Sequence, residues 1–217
     1  MEISWFGHSC FFIRSQRVKI LTDPFSPEIG LRLPKIKADI VTVSHQHPDH
    51  NFIQAVSSSK EEAPFVIDEP GEYEIEGVGL MGIASFHDHQ KGNLRGKNTI
   101  FLYALEDLFL CHLGDLGHSL SDEQLEQLGQ VDILFVPVGG KYTIDAKKAT
   151  EVVNQIDPKI VIPMHYALKE TAGLGLDSVE HFLKEAGAQP HPQEVLKITK
   201  NDLPAEERLF VVLESKT

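Results

Sequence analysis

The stretch Ser44-His45-Gln46-His47-Pro48-Asp49-His50 gathers three imidazoles and one carboxylate within six positions, straight after the run Asp39-Ile40-Val41-Thr42-Val43. Imidazole and carboxylate together bind zinc, iron or manganese. A hydrophobic core has no use for so many ionisable groups at the end of a strand. Three further places repeat the theme with one residue each. His87 ends Gly82-Ile83-Ala84-Ser85-Phe86, Asp115 closes Leu110-Cys111-His112-Leu113-Gly114, and His165 follows Ile160-Val161-Ile162-Pro163-Met164. Loops leaving one edge of a sheet can converge, which brings ligands distant in sequence to one metal. A lone His87 or His165 is more often a satisfied core or surface histidine; the ordered set is what points to a metal.

The elements that must position these residues follow from the pattern. Short β-prone runs are predicted over 3–6, 10–13, 18–22, 39–43, 64–67, 72–75, 78–86, 98–104 and 107–112. Asp23-Pro24-Phe25-Ser26-Pro27 and the polar 87–97 segment break the pattern as loops. A short helix is expected over 52–56. After Asp115 helices over 121–128, 145–156 and 177–186 alternate with strands over 131–137, 159–163 and 209–213. Ser121 and Gln124 have the spacing of a capping box. Strands first and strand–helix alternation later predict a layered α/β fold. With no repeat and no low-complexity linker, 1–217 is expected to form one domain.

The whole chain sets bounds. No apolar run is long enough to cross a bilayer, and the start lacks the basic and long apolar segments of a signal peptide, so the expected location is cytoplasmic. Cys10 and Cys111 each lie in or beside an apolar run and are expected as free buried thiols. A formal net charge of −12 argues against a nucleic-acid surface. Glu61-Glu62 and Glu123-Gln124-Glu126-Gln127 read as solvated surface. Oligomeric state is open, a homo-oligomer included.

In its order, H-x-H-x-D-H, then a lone His, then Gly-Asp, then a late His, the chain resembles the metallo-β-lactamase superfamily over positions 8 to 166. Gly7-His8-Ser9, Thr22-Asp23-Pro24-Phe25, Gly114-Asp115-Leu116-Gly117-His118 and Pro163-Met164-His165-Tyr166 are most similar to its small stand-alone hydrolases, the group of ascorbate-6-phosphate lactonase. The resemblance implies an αββα sandwich with two divalent metal ions at one edge between the sheets, zinc first, with manganese or iron as alternatives. His45, His47 and His87 would hold one ion, Asp49, His50 and His165 the other, and Asp115 would bridge them. In relatives a water or hydroxide lies between the metals, where its pKa falls towards neutrality. Such a site would carry a local charge of about +1 even in an acidic protein. The expected activity is hydrolysis of an ester, lactone or phosphodiester in a small anionic substrate.

Further residues carry expectations of their own. Asp23 either orients a ligand imidazole or is a loop residue before proline. His118 is placed as a proton donor to the leaving group, alongside Asp49 and Asp23 in the catalytic set. His8, Asp88, Lys141 and Tyr142 are placed at the substrate. His112 is expected to be structural. Competing readings are a phosphodiesterase or nuclease, a di-iron protein, and a non-catalytic metal-binding module. Large nuclease relatives carry a second domain and di-iron relatives an added flavin domain, and 217 residues leave room for neither.

Overall fold

The computed structural model describes residues 1–58 and 62–217. Of the acidic pair expected on the surface, Glu62 is exposed and Glu61 lies outside the described residues. The chain opens with β1 (Glu2–Trp5), β2 (Phe11–Arg14), β3 (Lys19–Thr22), β4 (Ile36–Ala38), β5 (Ile40–Thr42), β6 (Val56–Ser58) and β7 (Phe65–Ile67). Then come β8 (Gly71–Ile75), β9 (Val78–Phe86), β10 (Lys97–Leu105) and β11 (Leu108–His112). The last part holds α1 (Asp122–Leu128), β12 (Ile133–Pro137), α2 (Ala146–Ile156), β13 (Ile160–Met164), α3 (Val179–Glu185), β14 (Pro190–Gln193), β15 (Leu196–Lys197) and β16 (Leu209–Leu213).

Two mixed sheets result, one in the order β15-β1-β2-β3-β5-β7 and the other in the order β14-β16-β13-β12-β11-β10-β9-β8. They pack against each other through a shared apolar core, the two-sheet layering expected from the sequence. Central strands β12 and β13 are buried at every position and pair in parallel, as continuous apolar runs do when both faces are covered. One apolar cluster joins Trp5 and Phe11 of the first sheet to Phe101, Phe135 and Val211 of the second. Helix α2 buries Ala146, Ala149, Val152, Val153 and Ile156, a stripe at helical spacing. Asp145 caps its N-terminus, and Ser121 and Gln124 close the predicted capping box on α1. The helix expected over 52–56 is instead a single 3₁₀ turn at Ile53–Ala55 that passes directly into β6. Cys10 and Cys111 are both buried and free.

Strand direction explains where the chemistry gathers. In the second sheet β9 and β11 are both antiparallel to β10, so they run the same way, and β11, β12 and β13 are parallel. The C-terminal ends of β9, β11 and β13 therefore share one edge, just before His87, Asp115 and His165. In the first sheet β1 and β3 are both antiparallel to β2, and β5 is parallel to β3. Its matching edge carries the β1–β2 turn with His8, Asp23 after β3, and His45 after β5.

Candidate metal centre

The β5 exit is fixed by Asp23. This carboxylate is fully buried; Oδ1 accepts from the Ser44 amide at 2.7 Å, and Oδ2 from the Ser44 hydroxyl at 2.7 Å and His50 Nδ1 at 2.9 Å. Ser44 Oγ in turn accepts from His45 Nδ1 at 2.9 Å. Both imidazoles thus have Nδ1 as the donor and Nε2 free, the arrangement that outer partners impose on metal-binding histidines. The His50 amide donates to the His47 carbonyl at 2.9 Å, a turn that separates Asp49 and His50 from His45 and His47.

Asp115 is placed from the second sheet. Its amide donates to Asn98 Oδ1 at 2.9 Å, and Asn98 Nδ2 donates to the Leu113 carbonyl and Ser85 Oγ. Gly114 before it has φ +56, and a Cβ there would lie 2.4 Å from Asn98 Oδ1 and 2.6 Å from Ser44 Cβ, so only glycine fits. Asp115 Oδ2 then stands 3.3 Å from His50 Nε2, 3.3 Å from His87 Nε2 and 3.1 Å from His165 Nε2.

All seven residues expected as ligands come together. His45, His47 and His87 offer ligand atoms within 4.8 Å of one another, and so do Asp49, His50 and His165 with His8. A third such group, His45, His50 and Asp115, overlaps the other two. Among the described residues the buried side-chain polar atoms without a partner are His45 Nε2, His50 Nε2, His87 Nδ1 and His165 Nδ1. Each such atom costs roughly 1–3 kcal/mol when left unmade, and all four belong to this set. Asp23 and Asp115 are buried carboxylates, and charge buried on such groups needs a nearby positive partner. Donor type, proximity and lone nitrogens fit divalent cations.

Without metal the cluster's own electrostatics are conflicted. Burial disfavours a charged His50, but Asp115 and Asp23 outweigh it and hold its pKa well above the usual range. Burial likewise opposes the Asp115 carboxylate, yet His165 and His50 hold its pKa well below normal. Burial pushes His45 far down, and His50 adds to this. His8 is lowered to about 4, first by burial and then by His165.

A cavity of about 550 Å³ opens beside His45 and His47, lined also by Asp68, Glu69, Phe86, Arg95 and Lys97. That volume suits a small molecule. Several expected substrate residues are elsewhere. Asp88 spends both oxygens on four backbone amides, those of Gln90, Gly92, Leu94 and Arg95, and so organises the 87–97 loop. Its pKa of about 2 follows from those donors overcoming burial. Lys141 Nζ donates to the Leu174 carbonyl at 2.7 Å, and the Tyr142 ring packs against Lys141 and Arg95; neither residue lines the cavity.

His118 corrects the expectation of a proton donor. Its Nε2 accepts from the Phe86 amide at 3.1 Å and its Nδ1 donates to the Ser119 carbonyl at 2.7 Å, so both nitrogens are committed to backbone. It lines a separate cavity of about 730 Å³ that contains none of the seven. His112 is structural, with Nε2 donating to the Ser9 carbonyl and Nδ1 accepting from the Gly114 amide. Sequence reasoning missed Ser44, Asn98 and Arg95. Ser44 had a signal, its place between a strand and the first imidazole; Asn98, near the start of β10, had none.

Comparison with known proteins agrees with this centre. A family model described as a β-lactamase superfamily domain matches residues 2–165. A Thermotoga maritima structure of the metallo-β-lactamase superfamily, provisionally named a Zn-dependent hydrolase, is 38% identical, with a TM-score of 0.79 and coverage of 98% of both chains. A UPF0173 protein of Pyrococcus abyssi is 32% identical over 85% of this chain and 90% of its own. A UPF0173 metal-dependent hydrolase of Thermoplasma acidophilum is 28% identical over 76% of this chain and 83% of its own. The chain belongs to the metallo-β-lactamase superfamily.

Proposed function

We propose that this protein is a metal-dependent hydrolase that uses two divalent ions, zinc foremost, to cleave an ester, lactone or phosphodiester bond in a small anionic molecule. His45, His47 and His87 hold one ion, Asp49, His50 and His165 the other, and Asp115 stands between them. One observation carries the reading: two compact ligand groups share Asp115 as a neighbour and hold every unpartnered buried nitrogen among the described residues. When bound, such a pair supplies Lewis acidity and lowers the pKa of water towards neutrality.

The chain's own residues do the rest. Asp23 and Ser44 keep Nε2 of His50 and His45 as lone-pair donors. Asn98 locks the backbone of Asp115. Arg95 and Lys97, together with Asp68 and Glu69, line the cavity beside His47 and give it charged groups of both signs. A substrate with its anionic group on the Arg95 side and its scissile bond at the cluster meets both needs. No helix among the described residues is long and apolar enough to cross a membrane.

The test is a reconstitution. Metal-stripped protein is loaded with Zn²⁺, Mn²⁺ or Fe²⁺ and assayed on lactones, carboxylic esters, thioesters and phosphodiesters. Activity should require metal and vanish in Asp115→Asn. Protein carrying two equivalents that cleaves no member of the panel would refute the reading.

A further inference from the structure

His8 has the surroundings of a ligand and not of a pocket wall. Its ring is buried and lies inside the second ligand group, 4.1 Å from the His165 ring and 4.8 Å from the His50 ring, centroid to centroid. Its Nε2 is 3.2 Å from Asp49 Oδ2. Its ligand atom falls within 4.8 Å of those of Asp49, His50 and His165. Ligands sharing one ion at bonds of about 2.1 Å stand at most about 4.2 Å apart, so little closure is needed.

The backbone holds the ring there. The turn between β1 and β2 is pinned by Phe6 N to Cys10 O at 2.8 Å and Cys10 N to Gly7 O at 3.0 Å. The His8 carbonyl accepts from both Trp5 Nε1 and the His165 amide, each at 3.0 Å. His8 and His165 both have left-handed backbone, φ 53 and 54. A β-carbon disfavours that conformation, and it persists where surrounding contacts over-determine it. One hydrogen bond therefore ties together two strained histidines whose ring centroids lie 4.1 Å apart.

We infer that His8 is an additional protein ligand of the second metal position, beside Asp49, His50, His165 and the shared Asp115. The inference rests on the two-ion reading above. It makes the two positions unequal. With Asp115 shared between them, the second position would have five protein ligands and the first four; an ion enclosed by protein groups is retained, whereas one with room for an exchangeable ligand reacts and exchanges. His45, His47 and His87 form the less enclosed position, and His47 is only half-buried beside the cavity. One ion should thus be resident and the other labile.

Graded chelation with metal analysis tests this on the full chain loaded with Zn²⁺, or with Co²⁺ for visible absorption. The wild type should give up one equivalent readily and keep the second. His8→Gln keeps a side-chain N–H able to reach Asp49 but offers no ligating nitrogen. It should bind the retained ion more than 100-fold more weakly, beyond the 10–100-fold cost of losing an outer hydrogen-bond partner, and its cobalt absorption should change. An ion retained within 100-fold with an unchanged cobalt spectrum would overturn the assignment. His8→Asn, whose side chain tolerates left-handed backbone, carries the test if circular dichroism shows metal-free His8→Gln to be unfolded. The two-ion reading fails separately if the wild type binds a single equivalent that His47→Ala removes and His8→Gln does not.

Discussion

Asp23→Asn isolates what one buried carboxylate does for the centre. Asn is the gentlest replacement, because Asp23 sits at φ 39 and Asn tolerates that region. It removes the charge and turns one oxygen into an N–H donor. The structure leaves that donor badly placed. If the remaining oxygen faces the Ser44 amide, the new NH₂ faces Ser44 Oγ and His50 Nδ1. Ser44 can rotate its hydroxyl. In its neutral, metal-binding form His50 can accept only by moving its proton to Nε2, the nitrogen otherwise offered to the metal. The substitution therefore favours the wrong tautomer of one ligand and loosens His45 through Ser44.

Loss of such a partner costs about 10–100-fold in metal affinity, or roughly 1.4–2.7 kcal/mol. The metal-free protein also loses hydrogen bonds to a charged group, each about 1.5–3 kcal/mol. At about 2–4 °C per kcal/mol for this size, the loss of one such bond lowers Tm by roughly 3–12 °C. Zinc affinity is read by competition with a chromophoric chelator, Tm by circular dichroism, and the His50 tautomer by ¹⁵N NMR. Zinc affinity within about threefold of wild type with an unmoved Tm would refute the tautomer argument.

Three further outcomes follow from the geometry. Gly114→Ala places a methyl against Asn98 and Ser44 at positive φ; strain and overpacking of about 2–4 kcal/mol should lower Tm in thermal unfolding and metal content in elemental analysis. Arg95→Gln should raise KM about tenfold or more for anionic substrates while leaving neutral ones nearly unchanged, which steady-state kinetics on matched esters will show. In metal-free protein, His8, His45, His87 and His112 all have lowered pKa values while that of His50 is raised. Between about pH 4 and 6.5 the unfolded chain then binds more protons than the folded one, because His50 is protonated in both. Stability should fall with decreasing pH by up to about 1.4 kcal/mol per unit per lowered histidine, whereas His50 subtracts stability only above pH 6.5. Urea midpoints from pH 7.5 to 4.5 that rise or stay flat as pH falls would contradict this balance.

The elements legible in the sequence were those whose own residues decide them. The continuous apolar runs of β12 and β13, the α2 stripe and the Ser121–Gln124 box each state their structure locally. Strands β4, β6, β14 and β15 are two to four residues long and only partly buried, so pairing with a neighbour makes them strands. The same division runs through the site. H-x-H-x-D-H announces itself, and His87, Asp115 and His165 could be found because each ends an apolar run. Asp88 and His118 were misplaced because sequence proximity to a ligand does not show which backbone amides compete for a side chain. His8 could not be assigned from its own neighbours, since what defines it is Asp49, more than forty residues away.

Local propensity and the centre are in direct conflict here. Three residues that meet at the cluster, His8, Asp23 and His165, hold left-handed backbone at φ 53, 39 and 54, although none is glycine. Each such residue costs about 1–2 kcal/mol against its relaxed conformation. Asp23 accepts from His50 and Ser44, and the His165 amide donates to the His8 carbonyl. A fold optimised for stability alone would place Gly or Asn at these strand exits and leave no buried imidazole nitrogen without a partner. His45 Nε2 and His50 Nε2, on rings whose Nδ1 is already taken by Ser44 and Asp23, are unpartnered where the backbone is also strained, which argues that both costs arise from one requirement, the delivery of ligand atoms to fixed points. It follows that cation binding, which gives these two nitrogens a partner and offsets the buried carboxylates together, stabilises this edge of the sandwich as well as arming it.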